Sequence, residues 1–283
     1  MRLAGEELSW GARTLLLGII NTTPDSFSGD GLAGDVARVV EQGRAMVAAG
    51  ADWLDVGGES TRPAAEPVSR DEEIDRVCPA IEALAAALPG VPLAVDTRWA
   101  PVAAAALRAG AHLVNDVSGL FNDPAMVGLV AAAGVPVIIQ HSRGTPQTMG
   151  DLANYEDVVE EVIGELEQRL SLAAKARVAR GQCLVDPGIG FAKTTEHNVR
   201  LLRRLGELRR LGLPVVVGAS RKRFLGELLD GAPPDDRLEA DAAVVALSIA
   251  GGADVLRVHD VRAMARVRRV ADAIVRGGWS PVE

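Results

Sequence analysis

The sequence predicts an α/β fold, a (β/α)8 TIM barrel in which a short N-terminal hairpin within residues 1–13 covers the barrel bottom. Eight short apolar or β-branched runs recur along the chain, and segments of helical period lie between them. Near-continuous apolar runs indicate strands buried on both faces, and their alternation with helices indicates parallel pairing through right-handed crossovers. An open doubly wound sheet would need a GxGxxG turn after its first strand, but this turn reads NTTPDSF.

The strands are assigned to the apolar runs, and the helices to the Ala-, Leu-, Val- and Arg-rich segments between them. The predicted strands are residues 15–20, 53–56, 93–95, 113–114, 136–139, 183–185, 214–217 and 255–256. The clearest predicted helices are residues 36–49, 74–88, 102–109, 158–179 and 241–250. Ala-Gly-Ala or Gly-Gly-Ala precedes three of the strands, as expected where a helix ends and the chain turns into a strand.

The composition is that of a globular chain, and we expect its 283 residues to form a single domain, 1–283. Hydrophobic residues make up 48% and charged residues 24%, which argues against disorder. A formal net charge of −8 without a basic stripe argues against nucleic acid as a partner. The N-terminus lacks the pattern of a secretion signal, and no stretch approaches the roughly 20 apolar residues that span a membrane. We therefore expect a cytoplasmic protein without a membrane partner.

The two cysteines and two of the lysines have distinct sequence contexts. Cys78 and Cys183 are far apart, in a helix-like and a strand-like segment, which favours two buried thiols over a disulfide or a metal site. Lys193 and Lys222 stand out because the chain otherwise uses Arg for nearly all of its cations, and an ammonium group differs from a guanidinium in geometry and hydration.

Polar side chains follow every predicted strand, at the point where the strand ends. In a barrel the loops after the strands converge on one face, where groups from several strands meet. Any one such residue is more often a cap or a turn residue, but polar groups at all eight ends indicate a functional site. The residues are Asn21, Asp55, Asp96, Asn115 with Asp116, Gln140 with His141, Asp186, the run 220–223, and Arg257 with His259.

Two groups of these residues indicate what the site binds. Asp96, Asn115 and Asp186 offer carboxylates and an amide, which suits a ligand rich in ring N–H and amino donors, such as a pterin. The run Ser-Arg-Lys-Arg at 220–223 follows the seventh strand and opens a helix, so that cations and backbone N–H groups face one place. Barrels often bind phosphate or other anions there.

The chain resembles the dihydropteroate synthase family along nearly its whole length. The matching segments, in order, are GIINTTPDSFSGDG, DVGGESTRP, AVDT, NDVSG, QHSRGTPQTM, VDPGIGFAKTTEHN, GASRKRFLG and RVHDV. The resemblance implies a transferase of folate biosynthesis that joins 7,8-dihydropterin pyrophosphate to para-aminobenzoate and releases pyrophosphate with the assistance of Mg²⁺. It also implies a homodimer and a sulfonamide target.

The resemblance also implies a role for individual residues. Asp55, Asp96 and Lys222 would be catalytic, and Asp96, Asn115, Asp186 and Lys222 would bind the pterin. Asn21, Arg62, Arg257 and His259 would hold the pyrophosphate, with Asn21 as the Mg²⁺ ligand. Thr61, Arg62, Pro63, Phe191, Lys222 and Arg223 would line the aminobenzoate site.

The chain departs from the family pattern at four positions, and two other functions stay open. Arg223 stands where the family usually has Ser, and either pairs with the aminobenzoate carboxylate or points away; Gln140 replaces a common Met, Ile189 a Phe and Ala192 a Gly. One alternative is a barrel that binds methyltetrahydrofolate for methyl transfer to a corrinoid, although it would have little use for pyrophosphate-binding cations. The other is a non-catalytic pterin-binding homologue.

Overall fold

The structure is a computed structural model that describes residues 1–23, 35–60 and 67–277. Its strands form a two-stranded antiparallel hairpin and an eight-stranded parallel sheet. The hairpin strands are β1 (Arg2–Leu3) and β2 (Glu6–Glu7). The sheet strands are β3 (Leu15–Asn21), β4 (Trp53–Gly57), β5 (Leu93–Asp96), β6 (Leu113–Asp116), β7 (Val137–Gln140), β8 (Cys183–Asp186), β9 (Val216–Val217) and β10 (Val255–Val258).

Helices lie between the sheet strands and after the last of them. They are α1 (Val36–Ala48), α2 (Arg70–Ala87), α3 (Ala100–Ala109), α4 (Ala125–Ala133), α5 (Val158–Lys175), α6 (Thr195–Arg203), α7 (Arg223–Leu228), α8 (Leu238–Ala250) and α9 (Val261–Val275). Two short 3₁₀ helices, Arg180–Gln182 and Leu205–Leu211, complete the connections around β8 and β9. In the described part of the chain, no helix is both long and apolar enough to cross a membrane.

The eight parallel strands close into a barrel, which confirms the predicted fold class. Their order is β8-β7-β6-β5-β4-β3-β10-β9, so each strand neighbours its predecessor in the chain, and β10 pairs with β3. The remaining gap is bridged by Val185 of β8 and Val215, which lies just before β9. The circle therefore has no long exposed edge, and the carboxyl ends of all eight strands meet at one mouth.

Alternation of side chains along the strands divides the barrel into an outer and an inner layer. On β3, for example, Leu16 and Ile20 pack outward against the helices, whereas Leu15 and Leu17 point inward. The lower interior is apolar and is filled by Leu15, Leu17, Trp53, Ala94, Leu113, Ile138, Leu184, Val216 and Val255. One inward position further along, toward the mouth, six of these strands carry polar residues, namely Asp55, Asp96, Asn115, Gln140, Asp186 and Arg257.

The N-terminal hairpin covers the lower end of the barrel, as predicted. Its turn is formed by Ala4 and Gly5, both at positive φ, which is the geometry that tight hairpins favour. Leu3 is 3% exposed and joins the inner apolar cluster, where burying a leucine contributes about 1.5–3 kcal/mol. The ring of Trp10 meets the ring of Trp53 edge-on, with centroids 6.4 Å apart. The interior is therefore sealed at this end.

The predicted elements are all present, but some of their ends differ. β5, β6, β7 and β8 each extend to a polar residue that the sequence analysis had assigned to the loop. Asp96, Asn115, Gln140 and Asp186 follow the inward alternation, so their side chains enter the barrel. Asp116, the last residue of β6, points outward and accepts from Ser118 and from the Leu120 N–H. α2 begins four residues before its predicted start, because Ser69 caps it and Asp71, Glu72 and Glu73 favour its first turn. α5 ends at Lys175, shortly before Arg177 takes a positive φ.

Candidate active site

A ring of polar side chains lines the mouth of the barrel, directly above the apolar layer. Asp96 of β5 and Asn115 of β6 are register partners, and Asp55 lies on the neighbouring strand β4. Asp55, Asn115 and Asp186 are each no more than 3% exposed. Buried carboxylates are costly unless they are paired, so this ring needs cations or a ligand rich in hydrogen-bond donors.

Arg257 provides the central cation of this ring. Its Nε donates to Asp55 Oδ2 at 2.5 Å, and its Nη2 donates to Asp96 Oδ2 at 2.6 Å. Asn115 Nδ2 donates to the same Asp55 oxygen at 2.9 Å. The other oxygen of Asp55 is buried without a hydrogen-bond partner among the described residues. One guanidinium thus holds two carboxylates from different strands and leaves acceptor capacity for a ligand.

Burial shifts the protonation of two carboxyl groups in the ring. It raises the pKa of Asp96 above the usual range, and the nearby Asp55 and Glu73 carboxylates add to this, whereas Arg257 and Lys222 oppose it. Burial also raises the pKa of Asp186, against the Gly188 N–H that donates to its Oδ1 at 2.6 Å and against Lys222, Arg257 and Lys193. Both carboxyls therefore share one electrostatic environment with the same cations.

Lys222 completes the ring from the loop before α7. It is the N-cap residue of that helix, and its Nζ donates to the backbone oxygen of Ile189 and lies 4.0 Å from the centroid of the Phe191 ring. Burial lowers the pKa of Lys222 to about 7, while Asp186 and Asp96 raise it. The ammonium is therefore held between an aromatic face and two carboxylates.

A glycine after β9 allows the cations and carboxylates to approach. A Cβ atom at Gly218 would lie 3.5 Å from Arg257 Cβ and 3.9 Å from Asp186 Oδ2. A larger side chain at this inward position would fill the space between the two groups. The lower boundary of the ring is the apolar layer.

The comparisons with known proteins agree with this geometry. Residues 17–259 match the family described as pterin binding enzyme. The chain belongs to the pterin-binding enzyme family. The dihydropteroate synthase of Synechocystis sp. is 47% identical over 94% of this chain and 92% of its own.

Solved structures of pterin-binding enzymes have the same fold as this chain. A Yersinia pestis dihydropteroate synthase with a sulfonamide drug complex has a TM-score of 0.92 at 37% identity, covering 97% of this chain and 98% of its own. The dihydropteroate synthase of Thermus thermophilus, in complex with 4-aminobenzoate, has a TM-score of 0.85 at 44% identity, covering 96% and 98%. The similarity thus extends through every strand of the barrel.

Within this pterin-binding enzyme, the structure brings most of the predicted site residues together. Asp55, Asp96, Asn115, Arg257 and Asp186 form the ring, Lys222 and Phe191 close one side of it, and Asn21 ends β3 at the same level, paired with Gly57. His259 follows β10, and its Nδ1 lies 3.1 Å from Ser220 Oγ. Thr61, Arg62 and Pro63 lie outside the described residues.

Arg223 differs in position from the other predicted residues. It is the first residue of α7, its side chain is 76% exposed, and its Nε forms an ion pair with Glu227 at 3.2 Å. Of the two orientations left open by the sequence, the structure thus has the one in which Arg223 points to the surface. Its assignment to the aminobenzoate site has no support from this geometry and stays a prediction.

A buried polar network that no sequence pattern indicated lies beside the ring. Lys193 Nζ lies 2.9 Å from His141 Nδ1 and donates to the Phe191 oxygen at 2.9 Å, and His141 Nε2 lies 3.1 Å from Glu165. Burial and the Lys193 charge lower the pKa of His141 to about 3, so a neutral ring accepts from Lys193 and donates to Glu165. Lys193, one of the two lysines that stand out in the sequence, therefore holds the loop that carries Phe191.

Gln140 is another departure from the family pattern, and it lies at the mouth. It is 6% exposed, its Nε2 donates to the Val117 oxygen at 3.2 Å, and its own backbone oxygen accepts from Arg169. Its position at the inward end of β7, in register with Asp186, puts an amide where an apolar side chain is common in the family. Gln140 therefore adds a buried amide to the mouth of the barrel.

Proposed function

We infer that this protein catalyses the dihydropteroate synthase reaction, in which para-aminobenzoate displaces pyrophosphate from 7,8-dihydropterin pyrophosphate to give 7,8-dihydropteroate. The observation that carries this conclusion is the ring of Asp96, Asn115 and Asp186 around Arg257, in a chain that is 47% identical to a dihydropteroate synthase over nearly its full length. The ring combines acceptors for a nitrogen heterocycle with a cation for an anionic leaving group.

The acceptors of the ring would bind the pterin, with Asp96, Asn115, Asp186 and Lys222 in contact with it. An aminopyrimidinone ring carries N–H donors and a carbonyl acceptor on its edge, which match two carboxylates, an amide and an ammonium group. The apolar layer below the ring excludes water from that end, which strengthens these hydrogen bonds. The flat heterocycle would therefore lie just above Leu113 and Leu184.

The cations at the mouth would bind the leaving group. Arg257 uses one N–H at each of Nε and Nη2 for carboxylates, so the rest of its five donors remain available to a pyrophosphate. His259 and, from outside the described residues, Arg62 would add to this site. As the carbon–oxygen bond breaks, negative charge grows on the leaving oxygen, and preorganised cations stabilise it most in that state.

The carboxylates would stabilise the positive charge that develops on the pterin methylene carbon. Asp55 and Asp96 lie on adjacent strands, and one oxygen of Asp55 has no partner among the described residues. If the bound pyrophosphate attracts the Arg257 guanidinium, that cation neutralises Asp55 and Asp96 less. The two carboxylates can then stabilise the methylene carbon as it becomes cationic. The reaction then needs no covalent enzyme intermediate, and the amine of aminobenzoate attacks directly.

The second substrate would bind nearer the surface, between the loops after the strands. Phe191 and Lys222 form a stacked cation–aromatic pair at 4.0 Å, which provides a flat apolar wall beside a positive charge. A benzoate offers the complementary ring face and carboxylate. Thr61, Arg62 and Pro63 complete the proposed aminobenzoate site, and Arg223 belongs to it only if its side chain turns from Glu227.

Mg²⁺ is part of the proposal, and the donor set of the chain fits it to a limited extent. Asn21 offers one amide oxygen, the kind of hard donor that Mg²⁺ prefers, at the end of β3. In residues 1–23, 35–60 and 67–277, no group of three or more His, Cys, Asp or Glu side chains could hold a metal ion. This suits an ion held mainly by substrate phosphates and water, whose chemistry would be to neutralise the pyrophosphate.

The direct test is turnover by the purified protein. With 7,8-dihydropterin pyrophosphate, para-aminobenzoate and Mg²⁺, we expect dihydropteroate and one equivalent of pyrophosphate, both absent when either substrate is omitted. Omission of Mg²⁺ tests the cofactor separately. Folded protein that binds the pterin without turnover would instead indicate a non-catalytic homologue, and methyl transfer to a corrinoid partner would indicate the other alternative.

Three further parts of the proposal concern the whole chain, which we propose to be a single domain, 1–283. We propose a homodimer that pairs through α8 and α9, where Leu247 and Ile274 are 64% and 78% exposed on neighbouring helices. We propose a cytoplasmic location, which agrees with two free thiols, Cys78 and Cys183. Cell fractionation tests the location, and sedimentation velocity tests the oligomeric state.

A further inference from the structure

A chain of hydrogen bonds joins the outer helix α8 to His259 at the mouth of the barrel. Asp241 of α8 is 2% exposed, and its Oδ2 accepts from Ser220 Oγ at 2.9 Å. Ser220 Oγ in turn lies 3.1 Å from His259 Nδ1 and accepts the His259 backbone N–H at 3.3 Å. The residues come from α8, from the loop after β9 and from the position directly after β10.

Counting protons along this chain fixes which nitrogen of His259 carries hydrogen. A serine hydroxyl has one proton to donate, and that of Ser220 goes to Asp241, which as a carboxylate can only accept. The Ser220 oxygen can then only accept from His259, so Nδ1 must carry a proton. In the neutral ring Nε2 is consequently the unprotonated nitrogen.

The surroundings hold the three groups in this arrangement. Asp241 Oδ1 also accepts the backbone N–H of Arg221 at 2.9 Å, which prevents the carboxylate from turning. Arg237, the residue before α8, donates to the backbone oxygens of Arg221 and Lys222 at 2.8 and 3.1 Å. The loop that carries Ser220 is therefore tied to α8 at two points.

We propose that Asp241, acting through Ser220, is a positioning residue that keeps His259 in the Nδ1–H form. With the ring proton on Nδ1, Nε2 of His259 has to take up a second proton before it can donate to a diphosphate oxygen. The bound leaving group then meets a full imidazolium charge. This last step rests on the proposed function, whereas the tautomer itself does not. Among the described residues, the charged groups facing this part of the site are Asp241, the Arg221–Asp260 ion pair, and Arg257 two residues earlier on β10.

The tautomer can be read directly by ¹⁵N NMR of histidine-labelled protein, because protonated and unprotonated ring nitrogens have well separated shifts. The chain has 4 histidines, and the His259 signals are assigned by their loss in His259→Gln. At about pH 8.5, where histidine is ordinarily neutral, we expect protonated Nδ1 and unprotonated Nε2. Protonated Nε2 in the wild-type protein would overturn the proposal.

The variant Asp241→Asn should reverse the tautomer. Its Oδ1 can still accept from Arg221 N–H, so its amide nitrogen takes the place of Oδ2 and donates to Ser220. The Ser220 hydroxyl must then donate to His259 Nδ1, and the ring proton moves to Nε2. Glu239→Asn, an exposed change on the same helix, is the matched control and should leave the His259 shifts unchanged. An unchanged tautomer in folded Asp241→Asn would contradict the proposal.

If Asp241→Asn does not fold, Ser220→Ala provides the second variant. It removes the acceptor for Nδ1, so we expect His259 to lose the single Nδ1–H form and to show averaged ring shifts. Retention of the pure Nδ1–H form would contradict the role of Ser220.

Calorimetry with inorganic pyrophosphate tests the functional step. Titrations in buffers of different ionisation enthalpy give the number of protons taken up on binding, and we expect the wild-type protein to take up more than Asp241→Asn. Equal uptake, with the tautomer reversed, would remove the imidazolium from the proposal. Absence of turnover by the wild-type protein would reject the proposed function and would leave the NMR result unaffected. A failure of the proposed function is therefore distinguishable from a failure of the proposed tautomer.

Discussion

At the scale of single residues, the charge balance of the mouth depends on Arg257, which is shared by two carboxylates. Its contacts to Asp55 and Asp96 join strands that are far apart in the chain, at sequence separations of 202 and 161 residues. Removing either carboxylate would leave the guanidinium free to shift toward the other. The chemistry is therefore expected to depend on the position of this cation as much as on its presence.

The first prediction concerns Asp96→Asn, which keeps the shape of the side chain and removes its charge. We expect kcat to fall by about 30- to 1,000-fold, since removing one preorganised electrostatic contact costs roughly 2–4 kcal/mol of transition-state stabilisation. Steady-state kinetics measure this, and Asp71→Asn, an exposed change at the start of α2, is the control. An unchanged kcat in folded protein would remove Asp96 from the catalytic groups.

Glu73 is a buried carboxyl group behind the same mouth. It lies in the first turn of α2 and is fully buried, and neither carboxyl oxygen has a hydrogen-bond partner by geometry among the described residues. Burial raises the pKa of Glu73 to about 7, and Glu59 adds to the shift. The folded protein therefore keeps this proton at a pH where the unfolded chain has lost it, and stability falls as pH rises from about 4.5 to about 7.

The second prediction follows for Glu73→Gln, which cannot ionise. The stability of this variant relative to wild type should rise by about 1–3 kcal/mol between pH 5 and pH 8, because only the wild-type protein loses stability in this window. Chemical denaturation at the two pH values measures the difference. Glu82→Gln, the same substitution at an exposed position of the same helix, should show no such trend. A constant difference for Glu73→Gln would show that Glu73 is already ionised in the folded protein.

The residues that sequence reasoning found and those it missed differ in how their signal is encoded. Asp96, Asn115 and Asp186 end apolar strands, so their inward direction follows from alternation along the chain. Asp241 lies on a helix and reaches Ser220 across 21 residues, a contact that no local pattern predicts. Glu73 follows two other acidic residues, and nothing in that run indicates which of them is buried.

At the scale of elements, the loop between β8 and α6 determines where Lys222 lies. Gly190 in this loop has φ +82°, and a Cβ atom there would lie 2.7 Å from Lys222 Cδ. Lys222 in turn caps the start of α7, and Lys193 ties the end of the loop to His141. The two loops are therefore in direct contact, and the position of the ammonium depends on the absence of a side chain at Gly190.

The third prediction is that Gly190→Ala weakens the activity more than the fold. A non-glycine residue in this conformation costs about 1–2 kcal/mol of stability, and displacement of Lys222 should lower kcat/KM by at least about tenfold. Thermal unfolding and steady-state kinetics measure the two effects. Gly164→Ala in α5, where nothing lies within 4 Å of the added Cβ, is the control and should leave kcat/KM unchanged. Wild-type kinetics in Gly190→Ala would show that Lys222 tolerates displacement.

The strand ends show why element boundaries are hard to predict from hydrophobicity. Asp96, Asn115, Gln140 and Asp186 still pair in the sheet, although a polar residue normally indicates that a buried strand has ended. The inward side chains become polar at the mouth because they line the pocket there. The backbone hydrogen bonds between the strands continue for one or two residues more. Hydrophobic runs therefore locate the apolar layer of the barrel and miss the polar carboxyl ends of these four strands, whereas for β9 the predicted run, 214–217, is longer than the observed strand.

At the scale of the whole molecule, the barrel could be predicted because eight strands and the intervening helices each carry a local signal. The closing contact between Val185 and Val215 and the seal formed by Trp10 and Leu3 are long-range consequences of that order. What could not be predicted is the outer surface, since exposed apolar residues on helices have the same period as buried ones. Leu247 on α8 and Ile274 on α9 are examples.

The fourth prediction concerns the proposed homodimer. If α8 and α9 form the interface, Leu247→Glu combined with Ile274→Glu should convert a dimer to a monomer, because a buried unpaired charge is costly at an apolar interface. Sedimentation velocity measures the change. Leu172→Glu, at an exposed position of α5, should leave the dimer intact. A dimer that survives the double substitution would place the interface elsewhere, and a monomeric wild-type protein would reject the homodimer.

Because the lower end of the barrel is sealed, the described residues leave the pocket accessible from the mouth alone. The pterin, which would bind deepest, has to pass the place where aminobenzoate later settles, so an early aminobenzoate would obstruct it. We therefore expect ordered binding, in which the pterin binds before aminobenzoate. The product then has to leave through the same opening before another turnover begins.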